Sequence, residues 1–234
     1  MNRINCMLAV ILALFVQNIS AQNIKPRETD FGDYIKLLND AGYMVYSFDI
    51  KDFLDDTYSI RFRIKEFVNG KEIESKDRGF LSNNRMMLTE FSEETQKELR
   101  EEGLCTDLEK GIVRQSEKIT IGVSPANSDS VQKIKFTVEE MRSGNRMLKL
   151  RPLKIADSSR HYHYSHRPFK INAFEEGKFI PLVLYASYWF DEQNGFFRFC
   201  GEKEIEPDMS SEILKLLPHY YVIGIEIDRL SAKR

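Results

Sequence analysis

The feature that most limits how this chain can fold is a two-residue alternation of apolar and polar side chains. In the segment Tyr58–Ile64 the apolar side chains fall on one face of a strand, whereas Ser59, Arg61 and Arg63 fall on the other. The same alternation recurs in four further segments: Tyr43–Phe53, Lys118–Val123, Val131–Met141 and Met147–Ile155. Because strands and helices do not alternate regularly along the chain, a parallel sheet is disfavoured. The pattern predicts a mainly β fold built from antiparallel strands.

Short motifs between these segments predict tight turns. Asn69-Gly70 favours a type I′ turn, because both residues can adopt positive φ angles. Two further turns are predicted, at Ser143-Gly144-Asn145 and at Asn194-Gly195. Helical spacing and capping residues predict short helices in three places: Phe31–Ala41, Ser92–Glu102 and Ser211–Leu217.

The segment Phe179–Phe190 differs from the others because it is apolar on both faces, as expected of a central strand that is covered on both sides. Together the patterns predict an antiparallel β-sandwich, jelly-roll-like, of about nine to eleven strands with two or three short connecting helices. Residues 22–234 are expected to form this single domain. A polar stretch within 156–168 leaves open a division into two lobes.

Composition excludes several classes of protein. The chain has 234 residues, of which 42% are hydrophobic and 30% charged, with a formal net charge of -2. This is an ordinary globular composition, unlike that of a disordered chain or a coiled coil. A nearly neutral chain has no general attraction for phosphate backbones, so nucleic acid is not an expected partner.

The N-terminus has the order of a secretory signal peptide. Asn2 and Arg3 precede an unbroken apolar run, Cys6–Val16, which is too short to span a bilayer. A polar stretch then ends at Ala21, so we expect cleavage before Gln22. No later apolar run is long enough to span a membrane, and the mature protein is expected in the periplasm or outside the cell.

Two cysteines remain after such a cleavage, Cys105 and Cys200. In an oxidising compartment they could form one disulfide, and two separate buried thiols are an equally acceptable interpretation. We therefore expect them to be either bridged or both buried.

Two segments and the signal ending carry a resemblance. The stretch from Phe179 to Pro207 and the end from Leu217 to Leu230 look like a group of uncharacterised exported proteins from Bacteroidales gut bacteria. The resemblance covers most of the mature chain and implies a compartment and an origin. It brings no catalytic residues with it.

Three of the four histidines lie together, at His161, His163 and His166. On a strand the first two would share a face and could hold one transition metal, with the third added from a turn. The cluster contains no acidic residue and has polar neighbours, so a solvated surface is favoured and neither a metal nor another cofactor is expected. The fourth histidine, His219, follows Pro218 and is interpreted as a packing or loop residue.

An aromatic pair offers a candidate binding surface. Tyr185 and Trp189 would lie on the same face of one strand, with Arg198 as a nearby polar group. An exposed face of this kind suits a sugar ring or a partner protein. Burial of the strand on both sides is the alternative, and the continuous apolar run favours it.

No specific catalytic motif is present, and the adjacent acid pairs (Glu139 with Glu140, Asp191 with Glu192, and Glu202 with Glu204) are explained by solvated strand ends. The favoured function is a non-catalytic binding module for a carbohydrate or a protein. A secreted hydrolase, including a metal-dependent one, and a structural subunit of a surface assembly are the alternatives. The sequence does not define an oligomeric state.

Overall fold

The computed structural model describes residues 28–74, 79–125, 128–153, 162–171 and 174–230. The predicted signal peptide, residues 1–21, lies outside this range. The chain divides into two units between Leu37 and Leu38, and all the strands described below follow this division. None of the described helices is both long and apolar enough to cross a bilayer.

The strands follow the two-residue alternation in the sequence, and the helices lie before or between them. Within the described ranges, the two α-helices are α1 (Phe31–Asp40) and α2 (Glu93–Glu101). Short 3-10 helices lie at Lys51–Phe53, Leu88–Glu90 and Glu212–Lys215. The strands are β1 (Met44–Asp49), β2 (Tyr58–Val68), β3 (Lys71–Ile73), β4 (Phe80–Asn83), β5 (Arg85–Met87), β6 (Ile112–Gln115), β7 (Lys118–Pro125), β8 (Val131–Val138), β9 (Arg142–Lys149), β10 (Tyr164–Pro168), β11 (Ile180–Ser187), β12 (Trp189–Asp191), β13 (Phe196–Arg198) and β14 (His219–Arg229).

Two antiparallel sheets pack together, which confirms the predicted β-sandwich. One sheet has the strand order β1-β7-β8-β9. The other has the order β10-β11-β14-β2-β3, and β4 also pairs with β2. Two small two-stranded sheets, β5-β6 and β12-β13, complete the described strands.

The main core fills the space between the two large sheets. The four-stranded sheet contributes Ile121 and Phe136, and the six-stranded sheet contributes Phe62 and Ile223; all four are at most 1% exposed. The rings of Phe62 and Phe136 stack across the interface with their centroids 4.8 Å apart. Alternation along each strand places these side chains inward, and their burial is the main stabilising contribution to the fold.

A second apolar layer covers the outer face of the six-stranded sheet. Leu184 of β11 and Val222 of β14 pack there against Ile205, Ile213 and other residues of the segment that precedes β14. Because β11 and β14 are covered on both faces, they carry the continuous apolar runs seen in the sequence. The predicted two-sided burial is confirmed for β11.

The turns agree with the sequence in one place and differ in another. Asn69 and Gly70 both have positive φ angles between β2 and β3, as predicted. The turn predicted at 143–145 is wrong, since β8 and β9 are connected around Glu140, whose φ is 59°. Gly144 lies instead within β9, opposite Phe136 of β8.

Asn84 fastens the loop before β2 to the sheet and is fully buried. Its side-chain oxygen accepts a hydrogen bond of 2.8 Å from the backbone N–H of Tyr58, and its amide nitrogen donates to the carbonyl oxygens of Phe53 and Asp56. Each side-chain group of this asparagine therefore has a partner, as a buried amide requires.

Candidate functional site

An open cleft of about 710 Å³ lies beside the hairpin that connects β2 and β3. We call it the Arg151 cleft. The residues that line it are Val68, Asn69, Arg151, Pro152, Leu153, Ser187, Phe190, Glu192, Pro218 and His219. Its volume is in the range of sites that hold small ligands.

Arg151 is held in position by Glu66 of β2. The Glu66 Oε1 atom accepts hydrogen bonds from the Arg151 Nη2 atom at 2.8 Å and from the Nε atom at 3.1 Å. About half of the arginine side chain stays exposed. The contact fixes the guanidinium plane and leaves its remaining edge available to a ligand in the cleft.

His219 lies behind Arg151 and is 2% exposed. Its Nε2 atom is 3.2 Å from Glu66 Oε1, and its Nδ1 atom lies in hydrogen-bonding contact with the Tyr164 hydroxyl. A carboxylate accepts, so Nε2 carries the proton and Nδ1 accepts from Tyr164 in the neutral imidazole. The hydroxyl oxygen of Tyr164 in turn accepts from the backbone N–H of Arg151 at 2.9 Å.

These four residues form a closed cycle of hydrogen bonds, which we call the Glu66 network: Arg151, Tyr164, His219 and Glu66. It begins at the backbone of Arg151 and returns to the guanidinium of the same residue. The cycle brings together β2, β10, β14 and the segment after β9. Such a network orients the arginine by both its main chain and its side chain.

Burial sets the charge states in this network. Desolvation lowers the pKa of His219, against the opposing effect of the neighbouring Glu66 carboxylate. Desolvation raises the pKa of Tyr164. Hydrogen bonding to Glu66 raises the pKa of Arg151. At neutral pH the histidine and the tyrosine are therefore uncharged, and the arginine and glutamate form an ion pair.

The other side of the cleft supplies an aromatic ring and exposed polar groups. The Phe190 ring meets Phe197 edge to face with centroids 5.3 Å apart, and it is half-buried. Glu192 and Asn69 are exposed. The backbone N–H of Asn69 donates to the carbonyl oxygen of Pro218 at 2.9 Å, which fixes the turn that carries the asparagine side chain.

The aromatic pair predicted to share one face does not do so. Tyr185 packs into the core between the sheets, whereas Trp189 packs against the outer apolar layer. The alternation is interrupted at Tyr188, which lies between β11 and β12 and donates its backbone N–H to the His163 carbonyl oxygen at 2.8 Å. Arg198 lies on Phe196 and forms an ion pair of 2.8 Å with Asp191.

The histidine cluster is divided among different surroundings. His161 lies outside the described residues. His163 contacts the ring of Phe197, and His166 forms a hydrogen bond with the Tyr46 hydroxyl. Among the residues that the structure describes, no group of three or more His, Cys, Asp or Glu side chains could hold a metal ion.

A second, smaller cavity of about 360 Å³ lies on the other side of Tyr164, with Gln132, His166 and Tyr185 in its wall. The Tyr185 hydroxyl donates to Gln132 Oε1 at 2.9 Å. Burial lowers the pKa of His166 to about 4, and the nearby Arg167 adds to this shift. The side chains of Gln132, His166 and Tyr185 thus give this part of the wall polar groups, and Asp129 adds a carboxylate.

The cysteines differ from the expectation of a disulfide or two buried thiols. Both are free; Cys105 is half-buried and Cys200 is exposed. Cys105 follows α2, where its Sγ atom contacts the Leu99 carbonyl oxygen, and Cys200 follows β13. The two thiols therefore belong to different local structures.

The acid pairs considered in the sequence have structural partners. Glu139 forms an ion pair of 2.9 Å with Lys118 at the end of β7. Glu202 Oε1 accepts from the backbone N–H of Glu212 at 2.9 Å, at the start of a 3-10 helix. Asp191 accepts from Asn194 in the turn before β13. These contacts agree with strand-end and turn roles.

Sequence reasoning missed Glu66 and Arg151, the central residues of the network. Both lie in segments that alternate like ordinary strands, and 85 positions separate them. The exception to the pattern is the charged side chain of Glu66, which is only 26% exposed. The signal in the sequence is its phase, because Glu66 continues the series Tyr58, Phe62 and Ile64 and so lies on the apolar face of β2.

Comparison with known proteins places the chain in a family. Neither the curated proteins nor the solved structures include a match to it. A family model described as a domain of unknown function (DUF5041) matches residues 13–229, which is most of the sequence. The chain therefore belongs to the DUF5041 family.

Proposed function

We propose that this protein is an exported, non-catalytic binding module that holds a neutral sugar in the Arg151 cleft. The observation that carries the proposal is the combination, in one open cleft, of the Phe190 ring with donors and acceptors of fixed geometry. A sugar presents an apolar C–H face and a rim of hydroxyl groups. The ring suits the first and the polar groups suit the second.

The charges of the cleft favour a neutral ligand over an anion. The positive charge of Arg151 is compensated by Glu66 at 2.8 Å, and Glu192 supplies a carboxylate to the wall. An anionic ligand would be repelled by Glu192 and would gain little from Arg151, whose charge is already paired. A hydroxyl group, by contrast, can accept from Arg151 and donate to Glu192.

The state of His219 supports binding without catalysis. A general acid or base must reach the atom whose proton it transfers. His219 is 2% exposed, and both of its ring nitrogens contact protein groups. We therefore assign it to positioning Arg151 through Glu66.

The proposal is tested by titrating the mature protein with neutral disaccharides such as maltose, cellobiose and lactose. Calorimetry and NMR monitor the binding. Phe190→Ala should weaken the binding of the best sugar about tenfold, as expected for loss of one stacking contact. The matched control is Phe196→Ala, on the neighbouring strand and outside the cleft. Equal weakening by both variants, sugar cleavage during incubation, or the absence of any shift at cleft residues would contradict the proposal.

Export is the second part of the proposal and is supported by the order of residues 1–21. The protein found outside the cytoplasm should begin at or near Gln22. N-terminal sequencing of that fraction checks this, and an intact Met1 there would contradict it.

A further inference from the structure

A third cavity, of about 540 Å³, opens at a different part of the sandwich from the Arg151 cleft and shares no lining residue with it. We call it the Phe174 cavity. Its floor is apolar and belongs to both sheets, with Ile119 on one side and Leu182 and Ile227 on the other. These three side chains are at most 2% exposed.

The mouth of the Phe174 cavity is apolar as well. Phe174 is 38% exposed and Ile171 is 58% exposed, although both line the cavity. The Phe53 ring stands edge to face against Phe174, with centroids 4.7 Å apart. Large apolar side chains at a concave opening favour a ligand with an apolar body, because its burial would remove their surface from water.

The charges around the mouth determine which head group fits. Asp49 and Asp52 line the cavity, and Arg229 is the cation in the wall. Arg229 is already engaged, because its Nη2 atom donates to the Tyr58 hydroxyl at 2.7 Å and lies 3.3 Å from Asp55. Asp49 is engaged as well, with Lys51 at 3.3 Å, so Asp52 is the charged group of the wall that has no ion pair among the described residues. An anionic head would therefore meet an uncompensated acid, whereas a cationic head would be attracted.

From this geometry we infer that the Phe174 cavity binds a small amphiphile with an apolar chain and a cationic head. The apolar chain of the amphiphile occupies the space between the sheets, and its cationic head lies at the mouth of the cavity beside Asp49 and Asp52. The inference is independent of the sugar proposal, since the two sites have separate walls.

Calorimetry with dodecyltrimethylammonium and dodecyl sulfate, which carry the same twelve-carbon chain, tests the inference directly. Both probes are used below the concentration at which they form micelles, and circular dichroism verifies that the mature protein stays folded. We expect the cation to bind at least about tenfold more tightly than the anion at moderate salt. Equal affinities, tighter binding of the anion, or no binding of either would overturn the inference.

Two pairs of variants locate the binding. Phe174→Asp should lower the affinity for the cation about tenfold or more, whereas Ile73→Asp, at a side chain of similar exposure on β3, should leave it unchanged. Asp52→Lys should reverse the preference between the two probes, and Glu94→Lys on α2 should not. Equal effects within either pair, or binding of a basic apolar peptide but not of the amphiphile, would overturn the inference.

Discussion

The Phe80 ring lies directly over the bare α-carbon of Gly144. A β-carbon placed on Gly144 would be 2.5 Å from Cδ2 and 2.7 Å from Cε2 of that ring. Phe80 belongs to β4 and Gly144 to β9, so the contact joins one edge of the six-stranded sheet to the four-stranded sheet. The absence of a side chain at Gly144 allows the sandwich to close there.

Substitution of Gly144 should therefore destabilise the fold. We expect Gly144→Ala to lower the free energy of unfolding by about 1–3 kcal/mol, as overpacking of a filled core does. Urea denaturation measures the change. Gly122→Ala is the matched control, because a β-carbon there comes no closer than 3.8 Å to its neighbours. If Phe80→Leu does not relieve part of the loss in the double variant, the contact is not its cause.

Asn84 should be among the most sensitive polar residues. Replacement of Asn84 by Leu removes the side-chain amide. The N–H group of Tyr58 and the carbonyl oxygens of Phe53 and Asp56 then lose the hydrogen bonds that this amide makes. We expect a loss of roughly 2–4 kcal/mol in the free energy of unfolding. The adjacent Asn83→Ala should change it by less than about 0.5 kcal/mol. Similar losses in the two variants would contradict the role assigned to Asn84.

Stability should fall as the pH falls from about 6.5 to 4. The pKa of His166 is lowered to about 4 by burial, and burial also lowers the pKa of His219. In this pH range the two histidines bind protons in the unfolded chain but stay neutral in the folded chain. The folded state therefore keeps its full stability above the histidine pKa of the unfolded chain and loses stability as the pH falls toward the lower pKa of the folded chain. For His166 the loss by pH 5 is at most about 2 kcal/mol, less where solvent reaches the ring. Denaturation curves at pH 7 and 5 should show a smaller difference in His166→Gln than in the wild type, and an unchanged difference would refute this explanation.

The two thiols should react at different rates. Cys200 is exposed and Cys105 is half-buried, so a thiol reagent should label one cysteine quickly and the other slowly. Cys200→Ser should remove the fast phase, and Cys105→Ser should leave it. Mass analysis that finds a linked pair in the native protein would count against the free thiols.

Glu66 should affect sugar binding without touching the sugar. Glu66→Gln removes the charge that holds Arg151, and we expect binding in the Arg151 cleft to weaken about three- to tenfold. Glu72→Gln serves as the control, because Glu72 pairs with Lys65 on the neighbouring strand and lies outside the cleft. Calorimetry with the best disaccharide measures both. Unchanged affinity of the Glu66→Gln variant for the sugar would show that the Glu66 network does not contribute to binding.

The sequence predicts the sandwich well because burial on one face imposes a two-residue period. Tyr58–Val68 and the Asn69-Gly70 turn follow directly from that rule. The turn between β8 and β9 does not follow from that rule. A glycine in the sequence can mark either a turn with a positive φ angle or a position where another residue packs closely against the backbone. At Gly144 the partner ring of Phe80, 64 residues earlier in the sequence, decides between them.

The candidate site was less predictable for a related reason. The position of His219 after Pro218 predicts a packing residue, and the structure buries it, but its partner Glu66 lies 153 positions away. Strict alternation predicts Trp189 on the face of Tyr185, whereas β11 ends at Ser187 and Tyr188 interrupts the alternation. Side-chain chemistry indicates what a residue can do, whereas strand pairing determines which residues it meets.

The position of β14 between β11 and β2 affects how this chain can assemble. Arg229 and Tyr58 are neighbours in the sheet although 171 positions separate them. Wherever the chain emerges with its N-terminus first, from the ribosome or from an export channel, β2 is present before nearly all the later strands and therefore before its long partner β14. Pairing at such a separation is slow, and the exposed edge of β2 can meanwhile join other chains. The period of greatest risk for aggregation is therefore the interval before β14 is available.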